Sequence, residues 1–197
     1  MDLKKYQKPK PLIYALVDKE TLIQKRVSLQ AHMQHISNFP NIPILQYRNK
    51  SGSLEDKKAD LLLIRQYYDG KLIINDTIEL IDYADGLHIG QEDIRKYSID
   101  LMIAVKLIRQ KTGAKLLGLS THNKEEILES NTLDLDYIGL GAYRATDTKS
   151  EANVGGKALL EASKYSKHPV GIIGGVRIDD EFEAPIMYKV IGSGLYA

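Results

Sequence analysis

A chain of 197 residues with 43% hydrophobic and 27% charged residues holds enough apolar material for a full core, and suits one domain or a small α/β barrel. Lys plus Arg number 27 against 26 Asp plus Glu, a net charge of +1, so no global basic field gathers nucleic acid and no acidic tail exists. Cysteine is absent, which excludes disulfides, thiolate metal sites and a cysteine nucleophile, and fits a reducing compartment.

The lysine-rich stretch 1–11 reads as an N-terminal extension without the apolar centre of a secretory signal. No apolar run approaches the roughly 20 residues a membrane helix needs, so a soluble cytoplasmic protein without membrane partners is expected. Short apolar runs then recur at 12–17, 42–47, 71–74, 86–89, 115–119, 137–140, 170–173 and 187–191. They are rich in Ile, Leu, Val and Tyr with little alternation, as strands buried on both faces are. Helices are predicted between them at 21–37, 53–68, 77–83, 99–111, 124–130 and 156–165. Asn123 with Glu126 forms a capping-box pattern, and Ser53 with Asp56 a weaker one.

Eight strands with intervening helices predict a single (β/α)8 TIM barrel over 1–197, compact for its class. A doubly wound open sheet is the alternative, but no G-x-G-x-x-G follows the first strand. Pro185 interrupts the short stretch between Gly175 and Met187, which predicts a shortened seventh helix. After Ile191 only a missing or vestigial eighth helix fits. The barrel edge left uncovered would be apolar, and burial in a homo-oligomer would cover it.

In such a barrel the chemistry sits at the carboxyl ends of the strands. After the second strand, Gln46, Arg48 and Lys50 alternate along extended backbone and share one face, placing two cations above an amide. The third strand ends in Asn75-Asp76. The fourth delivers His88, which reads as a packed core histidine, and then Gln91-Glu92-Asp93, of which Glu92 reads as solvated. Asp76 and Asp93 would meet on one rim, and two carboxylates suit Mg²⁺, which fills its shell with water and substrate phosphate. Taken alone, Asp76 reads better as a helix cap and Asp93 as a solvated turn residue, and it is the other strand ends that shift the balance. Ser120 and the following helix N-terminus offer donors to an anion. Thr146, Thr148 and Lys149 resemble a phosphate-gripping loop, and the glycines around Gly175 and Ser193 let main-chain N–H groups approach an anion.

Gln46-x-Arg48-x-Lys50, Asn75-Asp76, Asp85-Gly86-x-His88-x-Gly90-Gln91-Glu92-Asp93, Gly118-x-Ser120-Thr121-His122, Thr146-x-Thr148-Lys149 and Ile173-Gly174-Gly175 together resemble the motif series of the thiamine-phosphate synthase family, in its order. The resemblance implies Mg²⁺-dependent condensation of two phosphorylated small molecules. Hydroxymethylpyrimidine diphosphate would lose pyrophosphate, and the thiazole nitrogen of hydroxyethylthiazole phosphate would capture the pyrimidine carbocation. It implies Asp76 and Asp93 as metal ligands, and Arg48, Lys50, Asn75, Ser120 and Lys149 on the diphosphate. Gln46 would orient the pyrimidine, while Thr146, Thr148, Gly175 and Ser193 would hold the thiazole phosphate. Asn49 departs from the family's usual Glu, and Ala142, Arg144 and Ala145 from its usual loop. A thiazole tautomerase-like isomerase using His122, or a non-catalytic binder of phosphate ligands, remain the alternatives.

Overall fold

The computed structural model describes residues 10–39, 41–145 and 154–196. The predicted extension at 1–11 lies almost wholly outside them, as do Thr146, Thr148 and Lys149.

Eight parallel strands close into a barrel in sequence order, β1 pairing with β8 through Leu12↔Tyr188 to Ala15↔Ile191. The strands are β1 (Leu12–Asp18), β2 (Ile44–Arg48), β3 (Lys71–Asn75), β4 (Gly86–Ile89), β5 (Leu116–Thr121), β6 (Tyr137–Leu140), β7 (Val170–Ile173) and β8 (Ile186–Ile191). The helices are α1 (Lys19–Lys25), α2 (Leu29–Ile36), α3 (Leu54–Arg65), α4 (Gln91–Ile94), α5 (Leu101–Thr112), α6 (Lys124–Ser130) and α7 (Gly156–Ser163). Closure leaves no sheet edge, and parallel pairing buries both faces of most strands, hence the continuous apolar runs.

Two apolar cores follow. The larger lies between barrel and helices, with Val17, Leu45, Leu72, Leu87, Leu117 and Ile138 from the strands packing on Met33, Ile64, Ile108 and Ile127. The smaller fills the barrel axis with Tyr14, Leu16, Ile44, Ile73, Tyr137 and Val190. It forms a floor, so polar groups set one layer higher face a closed bowl.

Several local expectations change. The helix predicted over 21–37 is two, because Arg26 turns left-handed (φ 57°) and Ser28 caps α2 by accepting from the Ala31 N–H. The segment 78–83 is 3-10 rather than α-helical, and the unforeseen one-turn α4 starts directly at Gly90. The weaker capping signal makes the complete box: Ser53 Oγ accepts from Asp56 N–H at 3.1 Å while Asp56 Oδ2 accepts from Ser53 N–H at 3.2 Å. Asn123 caps α6, but the Glu126 carboxylate turns instead to His122 N–H at 2.9 Å. The β7–β8 connection is shortened further than expected, to turns that include the short run before Ile186, and a 3-10 turn (Ser193–Leu195) follows β8. Among the described residues no helix is long and apolar enough to cross a membrane.

Candidate active site

At the carboxyl ends of the strands lies a cavity of about 340 Å³. Gln46, Arg48, Lys50, Asn75, Asp76, Asp93, Ser120, Gly175 and Ser193 all line it, which is every predicted site residue within the described stretches. Glu92 is exposed at the mouth, and His122 sits at the lip with Nδ1 2.9 Å from Glu126 Oε2.

Asp76 takes a left-handed backbone (φ 55°), a conformation a non-glycine residue adopts only when its surroundings hold it. Its N–H donates to His88 O at 2.9 Å, and its Oδ1 accepts from Gly90 N–H at 2.9 Å. This twist carries the carboxylate from the end of β3 over the start of α4. A Cβ placed on Gly90 would lie 3.5 Å from Asp93 Oδ2 and 3.8 Å from Asp76 Oδ1, so both carboxylates flank one backbone carbon. Burial raises the Asp76 pKa, and the nearby Asp93 charge adds to that rise against the Gly90 hydrogen bond. Two crowded carboxylates, one of them desolvated, form an oxygen donor set that fits Mg²⁺ with water and phosphate completing its shell. Among the described residues no cluster of three or more His, Cys, Asp or Glu side chains forms a metal cage, so a cation here depends on non-protein ligands. Lys96 Nζ lies 2.6 Å from Asp93 Oδ1 at the rim.

Arg48, one of the two cations expected above Gln46, is held by Asp18, a carboxylate only 2% exposed at the end of β1. Asp18 also caps α1, accepting from Thr21 N–H at 2.8 Å and Thr21 Oγ1 at 2.7 Å. An ion pair so buried fixes the guanidinium beside the cavity and leaves its other N–H groups for an anion. Sequence reasoning missed Asp18. Its signal was an acidic residue closing an otherwise apolar strand, Leu12–Asp18.

Asn49 serves a turn, its Oδ1 accepting from Gly52 N–H at 2.7 Å and its Nδ2 donating to Tyr47 OH at 3.0 Å. His88 is buried as expected but is not an apolar packing residue. Its Nδ1 lies 3.1 Å from Tyr137 OH and its Nε2 2.9 Å from Ser120 Oγ. Burial lowers its pKa to about 4, so the ring stays neutral at ordinary pH. Strand glycines make room for this layer: a Cβ on Gly118 would lie 2.2 Å from the Tyr137 ring, and one on Gly139 3.0 Å from His88 Cε1. Gly174 and Gly175 carry positive φ (95° and 59°), and Cβ atoms there would strike Ala142 at 2.7 Å and Arg144 at 2.7 Å. Part of their purpose is thus close packing of the post-β6 loop on the end of β7.

A parallel barrel whose carboxyl rim gathers carboxylates, an ion-paired arginine and glycine-rich strand ends is a barrel enzyme suited to phosphorylated substrates. Sequence comparison narrows this class: the pattern of the thiamine monophosphate synthase family matches residues 13–184, and the chain belongs to that family, one of transferases. The thiamine-phosphate synthase of Persephonella marina is 33% identical over 171 residues, 83% of this chain and 76% of that protein. That of Caldicellulosiruptor bescii is 34% identical over 143 residues, 69% of this chain and 62% of that protein. Among solved structures, thiamine phosphate pyrophosphorylase from Pyrococcus furiosus superposes with a TM-score of 0.69 at 22% identity, over 92% of this chain and 86% of that one. The fold extends to (S)-3-O-geranylgeranylglyceryl phosphate synthase from Thermoplasma acidophilum, with a TM-score of 0.61 at 12% identity, over 94% and 86% of the two chains.

Proposed function

We propose that this chain condenses hydroxymethylpyrimidine diphosphate with hydroxyethylthiazole phosphate, giving thiamine phosphate and pyrophosphate, with Mg²⁺ as cofactor and in the cytoplasm. The observation that carries the reading is the convergence of Asp76 and Asp93 on Gly90, in the same cavity as Arg48 and Lys50. Asp76 and Asp93 would hold the metal. When bound, Mg²⁺ supplies charge that offsets the negative charge growing on a departing diphosphate.

The chain's own residues have distinct tasks. Arg48, locked by Asp18, and Lys50 hold the diphosphate where charge develops, and the family resemblance would add Lys149 to them. Asn75 donates to Asp76 and accepts from Gln46 Nε2 at 2.7 Å, so both amides are oriented before substrate arrives. Gln46 keeps one hydrogen and one lone pair for a ring edge. Thr146, Thr148, Gly175 and Ser193 hold the second phosphate. No side-chain nucleophile is needed, because the leaving group departs with its electron pair and the incoming ring nitrogen supplies the new bond.

The deciding experiment is thiamine phosphate formation from both substrates, with and without Mg²⁺. Product that requires both the metal and Asp93 supports the reading. Undiminished turnover in EDTA would end it.

A further inference from the structure

A line of hydrogen bonds crosses the barrel just above its apolar floor, and donor and acceptor chemistry fixes its direction. A carboxylate only accepts, so Asn75 Nδ2 donates to Asp76. Asn75 Oδ1 is then turned to Gln46 and accepts from its Nε2 at 2.7 Å, which leaves Gln46 Oε1 to accept from Tyr14 OH at 2.8 Å. Tyr14 has thereby used its only hydrogen. At the 2.8 Å contact between the two phenols, Tyr137 must therefore donate and Tyr14 accept. Tyr137 in turn has no hydrogen left for His88, so His88 Nδ1 must carry one and donate to Tyr137 at 3.1 Å. In a neutral imidazole Nε2 is then a bare acceptor, and at 2.9 Å it takes the hydroxyl hydrogen of Ser120.

We propose that Tyr137 and His88 are positioning residues of this site: they hold the Ser120 hydroxyl as a hydrogen-bond acceptor whose lone pairs face the cavity. The fold makes room for this device. Gly118 and Gly139 lack the Cβ atoms that would overlap the Tyr137 and His88 rings, and those rings lie 5.6 Å apart at 27°. Ser120, His88 and Tyr137 all line the cavity. An oxygen whose hydrogen is already committed cannot donate to a phosphate oxygen. It suits an N–H on an electron-poor ring, the kind of donor an aminopyrimidine carries, and this substrate assignment rests on the proposed condensation. The resemblance had placed Ser120 on the diphosphate. The direction of the chain places it on the ring instead.

Nitrogen NMR of protein labelled with [15N]histidine tests the arrangement without turnover, His88 being assigned by the signals lost in His88→Gln. The expected spectrum has hydrogen on Nδ1 and a bare, pyridine-type Nε2. Hydrogen on Nε2 in the wild-type protein would overturn the proposal. Tyr137→Phe keeps the ring but removes the lock, so the hydrogen should move to Nε2 and kcat should fall about tenfold, the weight of one hydrogen bond. Calorimetric binding of pyrophosphate with Mg²⁺ should be unchanged in that variant. Wild-type kcat in Tyr137→Phe, or loss of pyrophosphate binding in step with turnover, would each overturn the positioning role. Failure of the wild-type protein to form thiamine phosphate would end the proposed function, while the nitrogen spectrum would still decide the tautomer.

Discussion

On the β1–β5 side of the rim the polar side chains hold one another; on the β6–β8 side backbone packs against backbone. Asp18 grips Arg48, Asp76 is tied to Asn75 and Gly90, and His88 meets Ser120. Across the bowl, Tyr143 N–H donates to Ile173 O at 2.8 Å and Arg144 N–H to Gly174 O at 2.9 Å. The first side can set charges and hydrogen-bond directions before a ligand arrives, at the cost of buried polar groups that must all be satisfied. The second can shape a pocket from main-chain N–H groups but fixes little by charge. In the proposed condensation, the departing diphosphate would use the first kind of wall and the phosphate that only needs holding the second.

The sharpest way to break that contrast is Asp18→Ala, which strands the Arg48 guanidinium in a buried setting and removes the cap of α1. It should lower unfolding free energy by about 3–5 kcal/mol in denaturant titration. Asp93→Ala, at the half-buried rim, should instead leave stability near wild type and cut product formation by about two orders of magnitude or more, the size of a lost transition-state charge contact. Activity near wild type would remove Asp93 from the site.

A third test addresses the seam where the chain after β8 returns to β1. His32 is 1% exposed, stacks on Tyr196 at 4.2 Å, and has no hydrogen-bond partner on either nitrogen among the described residues. Burial, with a smaller contribution from the His35 charge, lowers its pKa to about 4. Below its ordinary pKa the unfolded chain takes up a proton that the folded ring refuses. Stability should therefore be intact near neutral pH and decline as pH falls from about 6.5 toward 4, by up to roughly 3 kcal/mol. Thermal melts of His32→Phe should show a shallower acid dependence. Gly118→Ala, whose Cβ would enter the Tyr137 ring, should cost roughly 1–3 kcal/mol by overpacking. Smallest of all, Arg144→Met on the packed-backbone side removes the bond to Asp180 at 2.6 Å from a half-exposed arginine, and should cost about 1 kcal/mol or less. A larger loss there than at Gly118 would erase the distinction between the two walls.

How much of this was legible in the chain varies by kind of residue. The strands were readable because burial on both faces leaves uninterrupted Ile, Leu and Val runs. Gln46, Asn75, Asp76, Asp93 and Ser120 were readable because they stand at the ends of those runs or in the turns just beyond them. The break at Arg26 was not, since a left-handed arginine carries no sequence signal comparable to glycine. The 3-10 form of 78–83 was equally hidden, because its apolar spacing serves either helix. Tyr14 and Tyr137 read as core, and only the barrel's closure turns their hydroxyls toward each other.

By itself the sequence determined the architecture and most of the rim residues, Asp18 excepted, because hydrophobic period and strand-end position are local properties. Tertiary structure alone decided the partnerships: Asp18 with Arg48, Asp76 with Asp93 about Gly90, and His88 between Tyr137 and Ser120. Those pairs join strands 30, 17, 49 and 32 positions apart. Such contacts exist only once the sheet closes, and the direction of each hydrogen bond depends on the neighbour beyond it.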